Sequence, residues 1–180
     1  MSKINKITPL TNVKFLNLYE LEAENKFGDT HPYYVASRKN ENIMMAATKE
    51  VIPDGVVIYS LFGEKADHLI MVRQFRYPLN DYIYELPAGL IDPGESIKET
   101  AIREMKEELG VQVTDCRGVY STLFTYPHAT VHLHFLHCRL NPEELKCLEG
   151  QTYRFCTLED LPHPILPATE PVLAQVTARK

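Results

Sequence analysis

The stretch "GLIDPGESIKETAIREMKEELGV", Gly89 to Val111, limits what this chain can fold into more than any other. Asp92-Pro93-Gly94 reads as a turn. Ser96 followed by Glu99 is a capping box, which places a helix N-cap at Ser96. Ile97, Ala101, Met105 and Leu109 then recur at helical spacing and make one apolar stripe. Gly110 is the left-handed residue that stops the helix. The segment carries Glu95, Glu99, Glu104, Glu107 and Glu108, with only Lys98, Arg103 and Lys106 to offset them. Glu104 and Glu108 share a face, and Glu107 lies one turn from Glu104. The spacing therefore predicts three carboxylates on one exposed strip, away from the apolar stripe.

Like charges at this spacing cost about 0.2–0.5 kcal/mol per pair on a bare helix. A hard divalent cation reverses that penalty. Mg²⁺ takes oxygen ligands and commonly shares them with substrate phosphates. Arg103, one turn before Glu107, is placed to hold a carboxylate through a charge-assisted bond. An isolated E-x-x-E-E is usually a solvated acidic face. Here Gly89, Glu95, the Arg103–Glu104 pair and Gly110 sit at fixed offsets around it, which a solvated face does not require.

The rest of the chain reads as strands around this helix. "VKFLNLYELEAE" and "YYVASRK" carry β-formers, with "NKFGDTHP" between them as turn chemistry. "GVVIYSLF" and "HLIMVRQF" look like strands joined by "GEKAD", and "DYIYEL" is a short strand running into "PAG". "RGVYSTLF", "TVHLHFLHCRL" and "TYRFCTL" are further strands, and "ATEPVLAQVTARK" reads as a closing helix with Thr169 at its N-cap. Strands mixed with two separated helices predict an α/β fold with a mixed sheet between helices.

The 180 residues fit one domain with an extension. We expect a short β extension over 1–48 and the main domain over 49–180. A net charge of −5 argues against a nucleic-acid-binding surface, which needs a basic patch. The polar start "MSKINKITPLTN" lacks the apolar core of a secretory signal. No apolar run approaches the roughly 18 residues of a membrane span. None of the four cysteines, Cys116, Cys138, Cys147 and Cys156, forms a C-x-x-C pair. They are expected to be reduced core thiols of a cytoplasmic protein.

The segment Gly89–Val111 resembles the Nudix box, G-x5-E-x7-R-E-U-x-E-E-x-G-U with U apolar. Gly89, Glu95, Arg103, Glu104, Glu107, Glu108 and Gly110 fill every fixed position, and Met105 and Val111 fill the apolar ones. The resemblance implies the Nudix α/β/α sandwich. It also implies metal-assisted hydrolysis, by attack of water on phosphorus, of a nucleoside diphosphate linked to another moiety. Mg²⁺ is the implied cofactor, with Mn²⁺ able to substitute. By position Glu104 and Glu108 would be the main metal ligands, Glu107 would share a metal or a water, and the Ala88 carbonyl would be a further ligand. Arg103 would orient Glu104, and Glu95 would fix the loop–helix geometry.

"VRQFRYPLNDYIYELPAGLIDPGE" and "YYVASR" are similar to ADP-ribose pyrophosphatases. That likeness implies a homodimer paired through the N-terminal strands, with Arg38 and Arg76 on the diphosphate or terminal ribose and Tyr33 stacked on adenine. Otherwise Arg38 and Arg76 are surface ion pairs, and Tyr33 is strand packing. The last third leans elsewhere. "YPHATVHLHF", "LEGQTYRF" and "LPATEPVLAQV" resemble MutT-type nucleoside triphosphate pyrophosphatases, although Thr169 and His128 replace that type's base-reading asparagine and acid. Pro127 keeps a spacing shared with the ADP-ribose enzymes. Glu149 aligns with a loop glutamate that binds metal or acts as general base in the MutT type, with Glu143 and Glu144 as rivals. His132 and His134 alternate on a strand and are read as pocket residues rather than a metal site. The expectation is thus an ADP-ribose or nucleotide-sugar pyrophosphatase. The alternatives are a triphosphate pyrophosphatase and a non-catalytic nucleotide-binding module.

Overall fold

The computed structural model describes residues 1–62, 68–126, 129–167, 169–170 and 173–174. The turn "GEKAD", Pro127, His128 and most of the closing segment lie outside the described residues. So do the side chains of His132 and His134, whose backbones lie on a strand. The chain divides into two compact units, Met1–Ile52 and Pro53–Lys180.

The first unit is an antiparallel three-stranded sheet in the order β1-β2-β3, with β1 Lys3–Pro9, β2 Asn17–Glu24 and β3 Thr30–Ser37. Period-two alternation on β2 turns Tyr19 and Leu21 inward. The β2–β3 turn is built by Asn25, whose side-chain oxygen accepts from Phe27 N at 2.8 Å and Asp29 N at 3.1 Å. Strand β1 was not legible in sequence. Its "KINKITP" spaces Ile4 and Ile7 three apart, which gives no strand alternation. One helical turn, α1 Met45–Thr48, follows.

The second unit holds a seven-stranded mixed sheet. Its strands are β4 Gly55–Phe62, β5 His68–Arg76, β6 Asp81–Glu85, β7 Ala88–Leu90, β8 Thr114–Tyr126, β9 Ala129–Arg139 and β10 Thr152–Thr157. The main path runs β10-β5-β4-β9-β8, with β6 paired to β5 and β7 to β4. Among these pairs only β4–β9 is parallel. Both faces of the central strands are covered, which explains the continuous apolar run "LIMV" on β5. Val56, Ile58, Ile70 and Val72 face one core layer, with Ala101, Met105 and Leu109 of the helix α2, Ile97–Leu109. Tyr59, Leu69 and Met71 face the other, with Leu86, Cys156, Ile165 and Leu173. Of the expected closing helix, the described part is one turn in which Leu173 N donates to Thr169 O at 3.2 Å.

Helix α2 starts and stops where its sequence says. Ser96 Oγ accepts from Glu99 N, and the Glu99 side chain accepts from Ser96 N at 2.9 Å, closing both halves of the capping box. Gly110 ends the helix at φ 63°. Burial of Met105 and Leu109 contributes about 1.5–3 kcal/mol each. One sequence expectation is corrected among the cysteines. Cys116 is disulfide-bonded, while Cys147 and Cys156 are free, so not all of the thiols are reduced. Spacing along the chain carries no information on which strands end up side by side.

Candidate active site

Arg103 is the hub of the site. From the second turn of α2 its guanidinium grips the loop before the helix and the acids after it. Nε and Nη2 donate to the two Glu95 oxygens, both at 2.9 Å, a planar two-point match. Nη2 also donates to the Leu90 carbonyl at 2.9 Å, and Nη1 to Glu104 at 2.6 Å and Glu107 at 3.0 Å. Glu95 is held further by Thr100 Oγ1 at 2.8 Å. Hydrogen bonding from Arg103, and then from Thr100, holds the Glu95 carboxyl down at about 2. Hydrogen bonding to Glu95, and then to Glu104 and Glu107, raises the Arg103 pKa further, so this cation does not titrate in the working range. The helix start, the end of β7 and two box carboxylates are thereby locked together by one side chain.

The acids do not form one exposed strip, and the sequence expectation is corrected here. Glu107 is half exposed, Glu104 is largely covered, and Glu108 is buried at 4% exposure. The reason is the helical period. Glu108 is seven residues from Ala101 and three from Met105, which places it on the flank of the buried stripe. Burial pushes the Glu108 carboxyl up to about 8, helped by the charges of Glu104, Glu149 and Glu85 and opposed by Arg76. Burial also raises Glu104, against the pull of Arg103. Glu149, on the exposed loop after the 3-10 turn Pro142–Glu144, thus bears on both helix acids.

The backbone turn before the helix is shaped to the carboxylate. A Cβ added at Gly89 would lie 1.8 Å from Glu104 Cδ and 1.9 Å from its Oε1. Gly89 therefore leaves the space that the Glu104 head group fills. Gly55 plays the matching part on β4, because a Cβ there would meet the Gly89 carbonyl at 2.6 Å. Ala88, which opens β7, is paired with Val57 of β4 and stands directly before this close approach.

Sequence reasoning missed Glu85. It is 2% exposed at the end of β6 and accepts from Arg76 Nη2 at 2.6 Å. The signal was present. In "DYIYEL" Glu85 is two residues from the buried Ile83 and so shares its inward face. Arg76 lies on the same side of the sheet, within electrostatic reach of Glu108. The other two proposed substrate residues belong to the first unit. Tyr33 is exposed on β3, and Arg38 donates to the Phe15 carbonyl at 3.2 Å.

The donor set suits a hard cation. It consists of carboxylates, and Glu108 Oε2 and Glu85 Oε1 are buried with no hydrogen-bond partner among the described residues. Among the described residues no three His, Cys, Asp or Glu side chains already stand as a closed metal cage. That fits a Mg²⁺-like ion, which keeps several waters and binds through one or two carboxylates together with ligand phosphates.

Known proteins resemble this chain in sequence and in fold. The mouse ADP-sugar pyrophosphatase is 34% identical over 84 residues, 44% of this chain and 38% of that protein. The ADP-ribose pyrophosphatase of Saccharomyces cerevisiae is 43% identical over 60 residues, 32% of this chain and 26% of that protein. The chain thus spans well under half the length of these curated relatives. A crystal structure of an ADP compounds hydrolase superposes with a TM-score of 0.71 at 21% identity, covering 98% of this chain and 92% of that one, which shows the shared fold. The NUDIX domain family matches residues 51–176. With that match lying over the Arg103-centred carboxylate array, the chain belongs to the NUDIX domain family.

Proposed function

We propose that this protein is a Mg²⁺-dependent hydrolase of ADP-ribose or a related nucleoside diphosphate sugar, releasing a nucleoside monophosphate and a sugar phosphate. The observation that carries the reading is the buried Glu108 carboxylate with an unpartnered oxygen, beside Glu104 held by Arg103 over the Gly89 turn. Mouse and yeast relatives named for ADP-sugar and ADP-ribose support the substrate class. When bound, a divalent cation supplies Lewis-acid charge to the phosphoryl oxygens. In this reading Glu104 and Glu108 hold it, with Glu107 and the Ala88 carbonyl completing the protein's share. Arg103 keeps Glu104 and Glu107 from swinging into water, and Glu95 and Gly110 fix the two ends of the frame. Glu149 accepts the proton of the attacking water, since its loop brings a carboxylate within electrostatic reach of the helix acids. Arg76 meets the diphosphate with its half-exposed guanidinium.

The same reading includes a cytoplasmic homodimer paired through the N-terminal strands. No helix among the described residues is long and apolar enough to cross a membrane. The disulfide at Cys116 is the feature that weighs against a reducing compartment. A monomeric mass by light scattering refutes the dimer. For the chemistry, the full chain is incubated with Mg²⁺ and ADP-ribose, and the products are resolved by ion-exchange chromatography. AMP and ribose 5-phosphate, both lost in Glu108→Gln, are expected. Pyrophosphate from nucleoside triphosphates with ADP-ribose left intact refutes the substrate. Nucleotide binding without turnover of either refutes the enzyme.

A further inference from the structure

Glu85 is the buried acid that the box does not account for. It follows Ile83 on the inward face of β6 and pairs with Val72 of β5, which faces the α2 core layer. A carboxylate at such a position costs several kcal/mol relative to an apolar residue unless it is compensated. The compensation comes from Arg76, four residues beyond Val72 on the same face of β5, whose side chain reaches back to Glu85. The two ends of this pair differ sharply in exposure, with Arg76 at 42% and Glu85 at 2%. Among the described residues only one Arg76 donor is used, on Glu85 Oε2. A guanidinium has five N–H donors in a rigid fork, so one edge can rest on the buried acid while the other meets an anion from solvent.

We propose that Glu85 is a positioning residue, anchoring Arg76 from beneath so that its outward edge is fixed for the substrate's diphosphate. This rests on the reading of Arg76 as a diphosphate contact. The buried carboxylate removes the rotamer freedom that a long arginine would otherwise lose on binding. It also neutralises part of the Arg76 charge, which keeps the guanidinium from pairing with Glu108 instead.

A double-mutant cycle on the full chain tests this, with binding of α,β-methylene ADP-ribose measured by calorimetry and Tm recorded for each variant. Glu85→Gln is expected to weaken the analogue on the order of tenfold to a hundredfold. In the Arg76→Ala background the same change is expected to add almost nothing, because the anchored group is gone. Additive losses, or unchanged affinity in Glu85→Gln while Arg76→Ala weakens, overturn the inference and leave the hydrolase reading standing. If the unmodified chain does not bind the analogue, both fail together. Should Glu85→Gln not fold, Arg76→Lys serves in its place. It keeps the charge but cannot bridge acid and phosphate with a planar fork, so weaker analogue binding supports the anchor and unchanged binding overturns it.

Discussion

Replacing Gly89 by alanine separates the site from the fold. The backbone at Gly89 is not in the left-handed region, so alanine meets no conformational strain there. What it meets is the Glu104 head group, 1.8 Å from the new Cβ. Ordinary carbon contacts begin near ~3.5 Å, so the carboxylate must retreat by about 2 Å. That breaks its 2.6 Å bond to Arg103 Nη1, a charge-assisted bond that contributes about 1.5–3 kcal/mol. The lower chain entropy of unfolded alanine returns about 0.4–1 kcal/mol. The net loss is about 1–2 kcal/mol, or a Tm lower by roughly 2–8 °C for a chain of this size. In its proposed role as a metal ligand Glu104 must sit within about 0.2 Å of its place, so the displaced carboxylate no longer serves. The proposed hydrolysis of ADP-ribose should fall on the order of a hundredfold or more. Tm by circular dichroism, Mn²⁺ affinity by calorimetry and product release together give the answer. Gly55→Ala is the comparison, because its Cβ strikes a backbone carbonyl and should damage the fold first. Wild-type Mn²⁺ affinity and turnover in a folded Gly89→Ala protein would refute the argument that Gly89 seats Glu104.

Three further outcomes follow from the same geometry. In the metal-free protein Glu108 is raised from 4.5 to about 8, so its burial costs nothing below pH 4.5 and its full amount above pH 8. Glu108→Gln should therefore flatten a loss of stability between those limits, seen as Tm against pH in chelator, while abolishing turnover; an unchanged pH slope refutes it. Glu95 has the opposite sign, since its carboxyl is lowered from 4.5 to about 2. It contributes stability above pH 4.5 that is lost as pH falls toward 2, so Glu95→Gln should be less stable near neutrality and have a shallower acid limb, measured by acid titration of tryptophan-free near-ultraviolet dichroism. Ser96→Ala removes the capping box and should cost about 1 kcal/mol in urea unfolding while leaving kcat/KM unchanged; a large loss of kcat/KM would mean the cap also sets the site.

The sequence by itself determined the local parts. Ser96, Glu99 and Gly110 fix the ends of α2 because caps act within one turn of chain, and the strand runs of β4, β5 and β10 announce themselves by apolar pattern. It also carried the box, since Arg103 and its acids lie within one loop and one helix, where spacing is geometry. The tertiary structure decided what depends on neighbours from elsewhere in the chain. The burial of Glu108 requires the sheet beneath α2, and the Arg76–Glu85 pair requires β5 and β6 to be side by side. Gly89 becomes necessary only once Glu104 is folded onto it, and Glu149 matters only where its loop returns to the helix. Caps and periodicity are short-range and survive in a one-dimensional string. Burial and charge proximity depend on distances in space, which only the folded chain sets.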